Sequence, residues 1–476
     1  MTTSNKPRPL CVDLDDTLIA TDLLWESILL LIKQRPFLIL ILPSWLIRGK
    51  AHFKRQLAER IQIRLETLPY RSIVIELIKK ERSAGRAIIL ATGSDALLAK
   101  LIAQHVGLFD EVLASNGTVN LSGNHKRQLL EERFGHKGYD YVGNGTVDIP
   151  IWHSAHTAIV VHPSGKLSTL TTDAISRYTS PPLNGTSIRE IVRAARLYQW
   201  VKNALLFIPL CLAHKLTDLP LLQNALVGFF GFSFCASAIY VLNDLLDLEN
   251  DRFHPRKRRR PFASGSLTIP TGIMLFSAFL LLGIGISWIW LPPTFVATLM
   301  AYVVFSIFYC LKLKHVVVAD VIGLALLYTI RIFAGGEAVG VVVSQWLLTF
   351  SIFFFLSLAF MKRFSEIQSL QPTTTDPAGR PYTASDIEMI RSIGPSTGYI
   401  AVLVVALYLN SPDVARLYSH PILLWLTGPA LLYWVTRMWF LSARGEMTDD
   451  PIVAASKDYR SYIVGAFLLL VVYFAI

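Results

Sequence analysis

Two hydrophobic patterns divide the 476-residue chain. Up to about residue 163, short apolar runs (Leu10 to Leu14, Ala87 to Ala91, Tyr139 to Gly143, Ala158 to His162) alternate with charged helical stretches. That alternation predicts a parallel, doubly wound α/β sheet. From about residue 195 the apolar runs lengthen. Between Leu267 and Leu311 there is no Asp, Glu, Lys, Arg or His. Such a run exceeds a soluble core helix and predicts two bilayer spans broken at Leu291-Pro292-Pro293, each near the ~20 residues needed to cross ~30 Å of hydrocarbon. In all, nine spans are predicted, at about 198–214, 220–242, 269–289, 292–311, 316–336, 342–361, 395–411, 418–441 and 459–476. The expected architecture is therefore an α/β domain over 1–163 and an all-α, nine-span transmembrane bundle over 195–476. A stretch over 164–194, rich in Ser, Thr, Pro and Gly up to about residue 187, reads as a linker with an interfacial segment.

Between the first two strands lies an insertion at roughly 22–75, predicted to form a helical cap. It contains PFLILILPSWLI (Pro36 to Ile47), flanked by Lys33, Arg35, Arg48 and Lys50. Twelve residues are short for a span, so an interfacial helix is expected, with a re-entrant segment as the alternative.

The formal net charge of +11 is concentrated in alternate loops: Arg252 to Arg260, Lys312 and Lys314, Lys362 and Arg363, Arg437 and Arg444. By the positive-inside rule these face the cytoplasm, and the N-terminal domain, preceding an odd-numbered span, falls on the same side. The expected location is the inner (cytoplasmic) membrane. Read alone, the basic string at 252–260 resembles a nucleic-acid patch; between two spans it suits lipid headgroups or substrate phosphates, and no nucleic-acid partner is expected. The four cysteines are scattered without CxxC pairs, which argues for buried thiols over disulfides or a zinc site. No apolar run precedes the first acidic cluster, so no cleaved signal peptide is expected.

The first strand ends in Asp13-Leu14-Asp15-Asp16-Thr17. Two carboxylates in an i, i+2 relation at a strand end can enter one pocket, where one attacks phosphorus and the other handles the leaving-group proton, with magnesium offsetting their repulsion. Strand two ends in Ala91-Thr92-Gly93-Ser94, Lys126 follows Gly-Asn-His, and Gly143-Asn144 precedes Asp148. In order and spacing this resembles the haloacid dehalogenase (HAD) superfamily over residues 10–160, especially the phosphoserine-phosphatase-like branch with its helical cap. The resemblance implies a Rossmann-like fold, Asp13 as nucleophile and Asp15 as general acid/base. It also implies Thr92 and Lys126 as phosphoryl ligands, and magnesium held by Asp13, Asp15, Asn144 and Asp148. Position 144 is Asn where many members have Asp, which lowers the ligand charge. A retained but silent domain is the alternative.

The second predicted span ends in Asn243-Asp244-Leu-Leu-Asp247-Leu-Glu-Asn-Asp251. On a continuous helix, 244, 247 and 251 share one face, and magnesium carrying a diphosphate would compensate three carboxylates at a membrane boundary. Lys202 precedes the first span, and Lys314 and Asp320 join the fourth to the fifth. Over 195–476 this resembles the UbiA superfamily of intramembrane prenyltransferases. The resemblance implies Asp244 and Asp247 in catalysis, Asp244, Asp247, Asp251 and Asp320 as magnesium ligands, and Lys202, Asn243, Arg256 and Lys314 as substrate-phosphate ligands. Leu324 stands where a paired second aspartate is common. The QWVKN, HPRKRRRPFASG and YCLKLKHVVVAD stretches look most like the branch that joins a polyprenyl phosphate to phosphoribosyl pyrophosphate. The expected function is that transfer, with the HAD domain removing the 5-phosphate. Alternatives are aromatic prenylation from a prenyl diphosphate and, in another class, a transporter with a regulatory domain.

Overall fold

The structure, a computed structural model, describes residues 7–161, 175–178, 187–368, 381–447 and 450–476. Two compact units emerge: residues 1–194 with 242–274, and 195–241 with 275–476.

The first unit is built on a six-stranded sheet: β1 (Leu10–Val12), β2 (Ile88–Asp95), β3 (Glu111–Ser115), β4 (Asp140–Gly143), β5 (Ala158–Val161) and β6 (Ile175–Tyr178). The order is β3-β2-β1-β4-β5-β6, and every pair is parallel. Because strand side chains alternate between faces, Leu10, Val12, Leu90, Val142 and Ile159 enter one apolar core. Cys11, Ile89, Ala91, Tyr141 and Val160 enter the other. Two strands escape the sequence reading. β3 carries Glu111 and has too few apolar residues to announce itself. β6 corrects the linker expectation, since residues 175–178 pair with β5. Residues 162–174 and 179–186, including His162, lie outside the described residues.

After β1 the chain forms the cap from α1 (Leu23–Gln34), α2 (Leu42–Ile47) and α3 (Lys50–Ala58). It returns through α4 (Ser72–Ser83) to β2. α5 (Ala96–Val106) and α6 (Asn124–Phe134) follow β2 and β3. β1 lies between β2 and β4, where the strand order reverses, so its carboxyl end opens into the crevice where such sheets bind ligands.

The nine expected spans become six among the described residues: Leu219–Leu246, Ile269–Trp290, Pro293–His315, Ala319–Val339, Gln345–Gln368 and Ala384–Leu409. The other three are shorter or broken. Leu197–Phe207 winds as a 3₁₀ segment before the five-residue helix Ile208–Leu212. Pro421–Leu426 is also 3₁₀, leaving Thr427–Ala443 with 17 residues. Tyr459–Ala475 has 17 as well. At 1.5 Å per residue, 17 residues rise about 26 Å, at the lower limit of what crosses a ~30 Å hydrocarbon layer.

Candidate active sites

In the first unit the chain turns sharply after β1, with Asp16 at φ 53° in the left-handed region that Asp tolerates better than most residues. Asp13 and Asp15 both enter the crevice. Asp13 Oδ1 accepts from Lys126 Nζ at 2.9 Å and from the Leu14 amide at 2.9 Å. Lys126 Nζ also donates to Tyr141 Oη at 2.9 Å, and Tyr141 Oη donates to Asp148 Oδ1 at 3.0 Å. Asp148 Oδ2 in turn accepts the amides of Asn144 and Gly145. Gly143 is required here, because a Cβ at that position would lie 2.7 Å from Asp148 Oδ2.

Asp15 is held separately. Its Oδ1 accepts the Leu23 amide at 2.8 Å at the start of α1, and its Oδ2 accepts from Ser94 Oγ at 2.7 Å. Thr92 Oγ1 accepts the Ser94 amide at 3.0 Å and lies 3.4 Å from Asp15 Oδ2. Ser94 and Tyr141 were missed by sequence reasoning. Ser94 could have been found from its place two residues after Thr92, whereas Tyr141 looks like an ordinary β4 core residue. A cap residue also arrives, as Lys54 of α3 bonds Gly93 O at 2.5 Å and Asn120 Oδ1 at 3.0 Å.

Burial pushes the Asp13 carboxyl up to about 7; Lys126 opposes this, while Asp148 and Asp15 add to it. Burial also raises Asp15, reinforced by the charge of Asp22. Asp13, Asp15 and Asp148 outnumber Lys126 and the approaching Lys54, which leaves the site with surplus negative charge. The donor set of Asp13, Asp148 and the Asn144 amide oxygen, which accepts from Thr17 Oγ1 at 3.2 Å, offers the hard oxygens that magnesium takes. Among the described residues no three His, Cys, Asp or Glu side chains are already gathered as a metal cluster.

The acidic stretch 242–251 belongs to this unit by its contacts. Its three aspartates do not lie on one unbroken helix. The long helix ends at Leu246, Asp247 sits at the joint with ψ 13°, and a short helix, Leu248–Phe253, carries Asp251. Arg260 bridges two of the carboxylates, 3.0 Å from Asp244 Oδ1 and 2.6 Å from Asp251 Oδ2. Burial raises Asp251 to about 6, against the pull of Arg260. This oxygen set suits a cation and already holds one positive charge. Arg252 pairs at 2.5 Å with Glu26 of α1, both side chains buried. Arg256 is exposed and Asn243 half-buried.

The second unit holds a different cluster. Residues Gln199, Lys202, Asn203 and Leu206 form the buried face of the 3₁₀ segment. That segment packs closely on Ala319–Val339 because position 335 is glycine; a Cβ there would lie 2.1 Å from Leu206 O. The close approach sets Asn203 Oδ1 2.9 Å from Arg331 Nε. Lys202 Nζ lies 2.8 Å from Asp450 Oδ2, and Lys362 Nζ lies 3.2 Å from the same oxygen. Tyr328 Oη donates to Asp450 at 3.3 Å, and its ring stacks under both Lys202 and Arg331. Burial alone would raise Asp450, but Lys202 and Lys362 hold its carboxyl well below the usual range. Asp450 was not anticipated, although its acidic loop between apolar stretches was a signal. Asp320, expected as a magnesium ligand, is instead the buried partner of Arg363, which donates to its Oδ1 at 3.0 Å; Tyr309 Oη donates to the same atom at 2.6 Å. In this structure both Asp320 oxygens are therefore engaged by protein donors. Lys314 is buried just after Pro293–Leu311.

Long apolar helices around a buried cationic cluster, joined to an α/β unit with an aspartate held by a lysine, define a membrane-embedded enzyme. The UbiA prenyltransferase family model matches residues 204–454, more than half of the chain, and the chain belongs to that family. It is 34% identical over 468 residues to the uncharacterized protein y4nM of Sinorhizobium fredii, covering 98% of this chain and 90% of that protein. It is 36% identical over 275 residues to the nodulation protein NoeC of Azorhizobium caulinodans, covering 57% of this chain and 88% of the relative. It is also 36% identical over 180 residues to the decaprenyl-phosphate phosphoribosyltransferase of Corynebacterium glutamicum, covering 37% of this chain and 54% of that enzyme.

Proposed function

We propose that the chain catalyses two successive reactions: transfer of 5-phosphoribosyl from phosphoribosyl pyrophosphate to a polyprenyl phosphate, then hydrolysis of the 5-phosphate. The observation that carries the choice of donor is the likeness to the Corynebacterium glutamicum phosphoribosyltransferase. In the transfer, a polyprenyl phosphate oxygen bonds to C1 of the ribose as the C1–O bond to diphosphate breaks, and the diphosphate leaves with the electron pair. Lys202, Lys362 and Arg331 supply more positive charge than Asp450 cancels, which suits an anionic substrate. Asn243, Arg256 and Lys314 are further phosphate ligands in this reading.

In the hydrolysis, Asp13 attacks the phosphorus of the phosphomonoester while the departing O5 takes a proton from Asp15. Water then attacks the aspartyl-phosphate, giving its proton to Asp15 and releasing phosphate. Lys126 orients Asp13, and the Leu23 amide and Ser94 hydroxyl orient Asp15. Magnesium, held by Asp13, Asp148 and Asn144 in this unit and by Asp244, Asp247 and Asp251 at the transferase motif, would neutralise phosphate oxygens in both reactions. By the positive-inside rule, the basic loops support the cytoplasmic face of the inner membrane as the place of both reactions.

The test incubates full-length protein with polyprenyl phosphate, phosphoribosyl pyrophosphate and magnesium, followed by lipid mass spectrometry. Polyprenyl-phosphoryl ribose is expected from the wild type, and its 5-phosphate from Asp13→Asn. If no ribosylated lipid forms in either, the reading fails; a prenylated hydroxybenzoate in the parallel assay would replace it with aromatic prenylation.

A further inference from the structure

The cap carries a surface that neither catalytic site uses. Between α1 and α3, residues 36–41 wind as a 3₁₀ segment and 42–47 as α2. In this stretch Phe37 is 85% exposed, Leu40 81% and Ile47 86%, with Ile39, Ile41 and Leu46 also exposed. The residues facing inward are fewer: Leu38, Leu42 and Trp45 pack on the cap core. The inward set is spaced i, i+4, i+7, so the segment has one seated side and one bare apolar side.

The segment is fixed at its base. Gln34 Nε2 donates to Gln62 O at 2.7 Å, and the Gln62 amide donates back to Gln34 Oε1 at 3.0 Å. Arg60 stacks over Trp45 at 4.9 Å. A pinned, exposed run of Phe, Leu and Ile is unfavourable in water, and such contiguous patches mark contact sites. What would cover it is indicated by its rim. Arg35, Arg48 and Lys50 are exposed around the apolar tip, and no acidic residue occurs between Ser27 and Glu59. A positively rimmed apolar tip matches the headgroup and acyl boundary of an anionic bilayer, where such elements lie ~5–10 Å deep.

We infer that residues 36–47 insert into the membrane surface and tether the cap of the phosphatase-like unit to the bilayer. The inference does not depend on which reaction either site performs. The segment enters only the interface; 12 residues broken by a 3₁₀ turn cannot cross the hydrocarbon. A substrate carried on a lipid would then reach this unit without leaving the membrane.

The experiment uses full-length protein with Cys211→Ser, labelled with bimane at Leu40→Cys or Ile47→Cys, and at Lys100→Cys, an exposed position of α5, as a reference. The protein is reconstituted in liposomes of phosphatidylcholine and phosphatidylglycerol containing a lipid spin-label quencher. Quenching at 40 and 47 is expected to exceed that at 100 several-fold. Equal quenching at all three positions overturns the inference, as does cross-linking of Leu40→Cys between two copies without lipid quenching. Arg35→Gln/Arg48→Gln/Lys50→Gln should reduce quenching in the anionic liposomes and leave it unchanged in pure phosphatidylcholine. Equal quenching by this variant and the parent in anionic liposomes overturns the choice of an anionic surface.

Discussion

The buried charge clusters of the two units have opposite imbalances. Around Asp13, the carboxylates of Asp15 and Asp148 outnumber Lys126, and burial lifts Asp13 to about 7. Around Asp450, two lysines and a nearby arginine outnumber one carboxylate, and that carboxyl is held well below its usual range. The first cluster lacks positive charge and suits a divalent cation; the second lacks negative charge and suits a phosphate or diphosphate. A charge deficit in a buried site is unfavourable until a ligand supplies the missing sign. The contrast therefore indicates ligand chemistry more directly than either fold does.

The most severe break in this comparison is at the proposed acid/base group. Asp15→Asn is expected to slow phosphate release by ~10²–10⁴-fold and to leave lipid ribosylation at the wild-type rate, with both products followed by mass spectrometry. The mirror change is Lys202→Ala, which removes the nearest cation from Asp450. Ribosylation should fall on the order of 10²–10³-fold, the usual loss for one preorganised charge-stabilising group, while hydrolysis of a soluble phosphomonoester is unchanged. Equal losses in both reactions would show that the clusters are not independent.

A pH measurement sharpens the first cluster. Lys126 opposes the rise of Asp13, so its loss raises that carboxyl further. The acid limb of phosphate release in Lys126→Met should move upward by about one to three pH units; an unmoved limb would remove Lys126 from the charge balance. The smallest effect concerns stability. Arg437 donates to Asp458 at 2.5 and 3.0 Å and, with Ser461, holds it down to about 2. A depressed carboxyl stabilises above its unfolded value, ~3.9, and that contribution is lost as pH falls towards 2. Asp458→Asn should cost about 1 kcal/mol at neutral pH, read as a lower Tm in detergent, with the difference vanishing in acid.

Much of the first site was legible because local sequence builds it. A carboxylate at a strand end and a hydroxyl after the next strand appear as short motifs, and β1, β2 and β4 were readable from apolar runs. Tyr141 was not, because a core tyrosine and a bridging tyrosine look alike until Lys126 and Asp148 are brought to either side of it. In the helical unit, hydropathy located the six long spans; the other three predicted runs fold as shorter helices, two of them preceded by 3₁₀ winding at 197–207 and 421–426.

By itself the sequence determined the two-part architecture, the family, the motif aspartates and the apolar cap segment, all of which follow from spacing within a few turns of chain. Only the tertiary structure decided the partners. It gave Asp320 to Arg363, set Arg260 between Asp244 and Asp251, and joined Asp450 to Lys202 and Lys362 across 248 and 88 positions of chain. The physical reason is that a buried charge takes its counter-charge from whatever the packing brings near, and that choice leaves no periodic trace along the chain.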